Sequence, residues 1–171
     1  AGNTMDVDIS SGEDKFSVDM AKPTISSVSV NDDILVETDC GAANFVVTID
    51  FSEAMDTGIE PAVVFDPALT GTLPNRTGAW PDSDTYTLTC DVAEVNAIAQ
   101  DVDIDISGAK DAAGNTMEAD TTSGEDKFTV EIDKPTISSL NVNDGLLTEI
   151  DIGADNFVVT VNFSKTMDTG L

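Results

Sequence analysis

The chain repeats itself. Residues 1–59 align on residues 113–171 without a gap, at an offset of 112, and 38 of the 59 positions are identical. Ala1-Gly-Asn-Thr-Met5 returns as Ala113-Gly-Asn-Thr-Met117, Lys22-Pro-Thr-Ile-Ser-Ser27 as Lys134-Pro-Thr-Ile-Ser-Ser139, and Asn44-Phe-Val-Val-Thr48 as Asn156-Phe-Val-Val-Thr160. A fixed period makes each copy one structural unit that touches mainly its neighbours in a tandem array. The 171 residues then hold about one and a half copies.

Each Lys-Pro step, at Lys22-Pro23 and Lys134-Pro135, follows one strand-like run and precedes another. Proline fixes φ and cannot donate to a ladder, so this step reads as a short, stiff connection. The expected organisation is a complete repeat over 22–133. Residues 1–21 are then the C-terminal strand region of a preceding repeat, and 134–171 the N-terminal part of the next.

Within 22–133 apolar residues alternate at short intervals, the signature of half-buried strands. Thr24–Asn31 is a first strand. Phe45, Val47, Ile49 and Phe51 share one face of a second over Phe45–Ser52. Ala62–Phe65 and Leu69–Leu73 are short runs bounded by Pro61, Pro67 and Pro74. Tyr86, Leu88, Cys90 and Val92 point inward from Thr85–Val92. Val102, Ile104 and Ile106 mark a sixth strand, and Phe128, Val130 and Ile132 a seventh. A short helical segment is expected over Val92–Ala99. Seven strands in about 110 residues suit an all-β immunoglobulin-like sandwich.

Charge narrows the function. Asp and Glu number 33 against 7 Lys and Arg, with no His, for a net charge of −26. Such a surface cannot neutralise phosphates, which argues against nucleic acid, and an anionic membrane repels it. Without His, imidazole catalysis and imidazole zinc sites are excluded. No apolar run reaches the ~18 residues of a membrane span. A hydrophobic content of 40% separates the chain from disordered acidic tails. Among the acids Asp dominates, which suits turns and hard-cation ligation.

Three elements then carry a resemblance: Phe51-Ser-Glu-Ala-Met-Asp56 after a Val/Thr strand, Ser107-Gly-Ala-Lys-Asp-Ala-Ala-Gly-Asn115, and the Lys22-Pro-Thr-Ile25 junction. Together with the tandem period they resemble the bacterial immunoglobulin-like repeats of giant extracellular adhesins and biofilm-associated surface proteins. The resemblance implies a non-enzymatic extracellular spacer or stalk at the cell surface, commonly stiffened by calcium. The partners it implies are neighbouring repeats. The two cysteines depart from the pattern of such repeats, which are often cysteine-free.

Asp-rich loops give the calcium expectation specific residues. Asp32, Asp33, Glu37 and Asp39 follow the first strand, and a sandwich brings that loop near Asp133, with Asp168 arriving from the next repeat. Crowded carboxylates repel one another, and a divalent cation with six to eight oxygen ligands offsets that cost. A second candidate is the Asp111–Asp126 loop, with Asp111, Asn115, Asp120, Glu125 and Asp126. The alternative is a solvated acidic surface. Asp101-Val-Asp-Ile-Asp-Ile106 copies the opening of an EF-hand but has Ile106 where that loop needs Gly; it reads as a strand. Asp56-Thr-Gly58 and Asp168-Thr-Gly170 are aspartic-protease triplets, a chemistry that needs two carboxylates sharing a proton. Their spacing is the repeat offset, so they read as one duplicated turn.

Cys40 and Cys90 can form a disulfide in an oxidising compartment, or stay as two buried thiols. Asn75-Arg-Thr77 is a glycosylation sequon. Trp80 packs over one end of the sandwich or stacks on a sugar, which would make a carbohydrate-binding module. A self-assembling subunit of a filament, sheath or surface layer, completed by strand pairing between copies, is the alternative to the stalk.

Overall fold

The computed structural model describes residues 16–167, and the alternating runs become strands in it. In chain order these are β1 (Ile25–Val30), β2 (Ile34–Leu35), β3 (Gly41–Phe51), β4 (Ala62–Asp66), β5 (Thr77–Ala79), β6 (Thr85–Val92), β7 (Ala97–Ser107), β8 (Phe128–Ile132), β9 (Ile137–Val142) and β10 (Val159–Phe163). The first eight build two four-stranded sheets, ordered β1-β3-β6-β5 and β2-β8-β7-β4. The sheets pack as a sandwich. β2 runs parallel to β8, pairing Ile34 with Thr129 and Leu35 with Val130; the other pairs are antiparallel. There is no α-helix among the described residues.

Period-2 patterning places the core. Phe45, Val47, Ile49 and Phe51 of β3 face Tyr86, Leu88, Cys90 and Val92 of β6 within one sheet's inner surface, and all eight are buried. The second sheet answers with Phe65, Val102, Ile104, Ile106, Phe128, Val130 and Ile132. The Phe45 ring lies 4.6 Å from that of Phe128 and 6.3 Å from that of Phe65, centroid to centroid. Such aromatic pairs add about 0.5–1.5 kcal/mol each beyond simple burial.

The structure corrects three expectations. Val92–Ala99 is not helical: Ala97 and Ala99 belong to β7 and pair with Ile132 and Val130, so a ladder with a distant strand overrides local helix propensity. Leu69–Leu73 is a tight turn, closed by Leu73 N–H donating to the Leu69 carbonyl at 2.7 Å, with both leucines buried. The strand in that stretch is β5, a few residues later. The loop after β1 also contains β2, so eight strands, rather than seven, lie between residues 25 and 132.

Outside those eight strands the repeat is only partly clothed. β9 and β10 reproduce β1 and β3: Leu140 opposes Val161 as Val28 opposes Ile49. Val28 and Ile49 are buried, whereas Leu140 is 59% and Val161 37% exposed. On the other side, Phe16, Val18 and Met20 are exposed where their repeat equivalents Phe128, Val130 and Ile132 lie in the core.

Candidate metal centre

Among the described residues, Asp19, Glu53 and Asp111 place one carboxylate oxygen each within 4.8 Å of one another. Three separate parts of the chain supply them. Asp19 lies in the segment before the Lys22-Pro23 step, Glu53 follows β3, and Asp111 opens the loop after β7.

Local backbone structure fixes each position. Ser52 N–H donates to the Thr24 carbonyl at 2.9 Å and Thr24 N–H to Ser52 Oγ at 3.0 Å, which ties the start of β1 to the end of β3 beside Glu53. Asp56 N–H donates to the Lys110 carbonyl at 2.8 Å and Ala112 N–H to the Ala54 carbonyl at 3.0 Å, so the segment just after Glu53 is joined to the residues on both sides of Asp111. Asn115 Nδ2 donates to the Asp19 carbonyl at 3.4 Å and to Asp111 Oδ2 at 2.7 Å. One asparagine therefore touches both sides of the junction.

Asp111 is 1% exposed. Burial pushes its carboxyl upward, but the Asn115 side chain and the N–H groups of Asn115, Gly114 and Ala113 outweigh this and hold it below the ordinary carboxylate range. Glu53 responds the opposite way: burial, then the negative charges of Asp19 and Asp111, raise it. Two like charges thus press on a third. The Asn115 backbone N–H donates to Asp111 Oδ1 and its side-chain amide to Oδ2, both at 2.7 Å. All-oxygen donors of this kind fit calcium or magnesium rather than a thiophilic metal.

A depressed folded-state pKa gives a definite sign with pH. Asp111 contributes stability that is complete above the unfolded value of about 3.9 and is lost as pH falls through the lower folded value. In chelator, the stability gap between the parent chain and Asp111→Asn is expected to be widest above about pH 4 and to narrow below it. Urea midpoints across that range would check this; a gap independent of pH would refute it.

The other sequence-derived ligands lie elsewhere. Asp32 Oδ1 accepts the Ile34 N–H at 3.0 Å, and Asp39 Oδ2 the Val36 N–H at 2.8 Å, so both close local turns. Asp33 turns its carbonyl to the Thr129 N–H at 2.9 Å, extending the β2–β8 ladder. Glu37 lies 3.5 Å from Lys134 Nζ, which also pairs with Glu94. Asp133 pairs with Lys165. Asp168 lies outside the described residues. In the second loop, Asp120 is occupied by the Thr122 and Ser123 N–H groups and the Ser123 hydroxyl, and Asp126 N–H donates to Asp103 at 2.8 Å. Of the seven expected ligands, only Asp111 belongs to the triad. Asp19 and Glu53 are not among the sequence expectations; Glu53 sits inside the Phe51–Asp56 element and Asp111 inside the Ser107–Asn115 element.

Cys40 and Cys90 are free thiols in this structure. Burial raises the pKa of both, at Cys40 with help from Glu94, Glu37 and Asp39. Trp80, half-buried, packs against Phe51 and Tyr86 at ring-centroid distances of 5.5 and 5.1 Å. Asn75 donates its amide to Asp91 at 2.7 Å. No helix among the described residues is long and apolar enough to cross a membrane. Compared with protein-family models, with curated proteins and with solved structures, the chain matches none of them.

Proposed function

We propose that this chain is a stretch of tandem immunoglobulin-like repeats serving as a non-enzymatic extracellular spacer or stalk of a large bacterial surface adhesin, with calcium held where one repeat meets the next. The strand orders β1-β3-β6-β5 and β2-β8-β7-β4 support the immunoglobulin-like assignment, since that architecture splits its strands between sheets in this way. The repeat at offset 112 supports the array.

One observation carries the calcium reading. A carboxylate from before the Lys22-Pro23 step converges on two carboxylates of the sandwich within 4.8 Å, uniting groups that repel across a junction. A divalent cation there exchanges repulsion for shared ligation and limits bending between repeats. Calorimetric titration of chelator-treated protein is expected to show saturable calcium binding that Asp111→Asn and Glu53→Gln each weaken at least tenfold. At free calcium ~100-fold above the dissociation constant, binding adds ~2.7 kcal/mol to stability. Absent heat, with melting unaltered by chelator, would sink the reading.

A second reading has its own observation. β9 and β10 leave Phe157, Val159 and Phe163 exposed, although their equivalents Phe45, Val47 and Phe51 are core residues. Strands supplied by another copy would cover that face and make a polymer. Concentration-dependent filaments in negative stain would favour this reading over the stalk.

A further inference from the structure

The repeat meets its neighbour a second time around residues 133–136, and there the same backbone frame carries the opposite charge. Thr136 N–H donates to Ser164 Oγ at 2.9 Å and Ser164 N–H to the Thr136 carbonyl at 2.8 Å. These are the bonds made by Thr24 and Ser52 at 3.0 and 2.9 Å, moved on by the repeat offset. The residue after the serine therefore stands in an equivalent place in both frames. It is Glu53 in one and Lys165 in the other. A second exchange accompanies it: Ala21 in the first frame is Asp133 in the second.

The two exchanges meet in space. Lys165 Nζ donates to the Asp133 carbonyl at 3.0 Å and pairs with the Asp133 carboxylate. Two more contacts hold the same step, because Lys134 Nζ pairs with Glu94 and Lys134 N–H donates to Asn96 Oδ1 at 3.0 Å. At the first frame three carboxylates converge, and among the described residues no lysine or arginine pairs with any of them. At the second, the chain brings its own cation.

We propose that the junction at residues 133–136 is fastened by Lys165 on Asp133 in place of a divalent cation, so that successive junctions of one array respond to different conditions. An ammonium in the position of Glu53 removes one ligand and repels a metal ion approaching the rest. A fastening made of solvent-accessible charges is screened by salt and indifferent to chelator. The contrast between junctions rests on the calcium reading of Asp19, Glu53 and Asp111; the lysine clasp does not.

The test uses the whole chain, with residual dipolar couplings recorded for amides of β9–β10 and of the sandwich in a neutral stretched gel. In chelator at low salt the two sets should fit one alignment, and calcium should leave it unaltered. Lys165→Met and Asp133→Asn should each lower the alignment of β9–β10 relative to the sandwich by about two-fold or more, with Lys165→Arg retaining it. Salt at about 1 M, where the screening length falls to about 3 Å, should mimic the neutral variants. Unshifted β9–β10 resonances would show that each variant keeps the hairpin folded. Independent tumbling of β9–β10 in the parent, no response to either neutral variant, or realignment on adding calcium would each overturn the clasp. Unmoved Asp19, Glu53 and Asp111 amides on calcium addition would instead remove the metal reading and leave the clasp standing.

Discussion

Phe45→Ala is expected to cost the sandwich about 3–5 kcal/mol, the range for deleting a buried aromatic side chain. Phe45 is 0% exposed and packs against the rings of Phe65 and Phe128, which also touch each other, so truncation opens a cavity bounded by both sheets. Against a total stability of about 5–15 kcal/mol, that is a large fraction. Phe157 is its repeat equivalent within an identical Asn-Phe-Val-Val-Thr run, yet it is 47% exposed. Phe157→Ala should shift stability by under about 0.5 kcal/mol. Urea unfolding followed by Trp80 fluorescence suits the comparison, because the only tryptophan packs on Phe51 and Tyr86 and reports the sandwich. Equal losses in the two variants would mean that identical sequence carries identical weight, contrary to the packing described above.

Gly124→Ala should also be costly, by about 1–3 kcal/mol or more, as overpacking usually is. A Cβ at Gly124 would stand 2.1 Å from the Ile104 carbonyl oxygen and 2.9 Å from its carbon. Neither partner can easily retreat, since Ile104 N–H donates to the Gly124 carbonyl at 2.8 Å and Ile104 is 1% exposed. The close approach lays the long loop after β7 along that strand, the loop that also presents Asp111. Gly71→Ala is the control: nothing lies within 4 Å of its Cβ position, and the change should stay within about 0.5 kcal/mol. Matching urea midpoints for the two variants would show that the loop can lift from β7 at little cost.

Much of the fold was legible because burial here follows period 2. β6 and β8 bury every second residue, as do β3 from Phe45 and β7 from Val102 onward, and those inward residues are the ones alternation picks out. β2 and β5 escaped because two or three residues cannot display a period. Val92–Ala99 reads as helical because its three Ala and Glu94 favour a helix locally, while the partner that decides the conformation of Ala97 and Ala99, β8, is over thirty residues away. The site suffered from the same non-locality. Counting acids within one loop selects Asp32 and Asp39, whose carboxylates close local turns, and Asp33, whose carbonyl extends the β2–β8 ladder. Glu53 sits in a strand-end element away from the Asp-rich loops, and Asp19 in what reads as a neighbour's last strand. The repeat itself points to Glu53, because positions 53 and 165 differ in sign while Phe51, Ser52 and Met55 return as Phe163, Ser164 and Met167; it gives no such signal for Asp19, whose equivalent is Glu131.

The parallel pairing of β2 with β8 has a consequence for a chain under tension. In an array drawn out by its ends, residue 24 is pulled one way and residue 133 the other. Antiparallel edge strands loaded like that would peel, breaking one hydrogen bond at a time. β2 and β8 point the same way, so opposite forces slide them past each other, and the bonds around Ile34, Leu35, Thr129 and Val130, with that of Thr129 to Asp33, share the load in shear. The weakest-looking strand in the sandwich, two residues long, is thus placed where rupture requires several bonds to fail together.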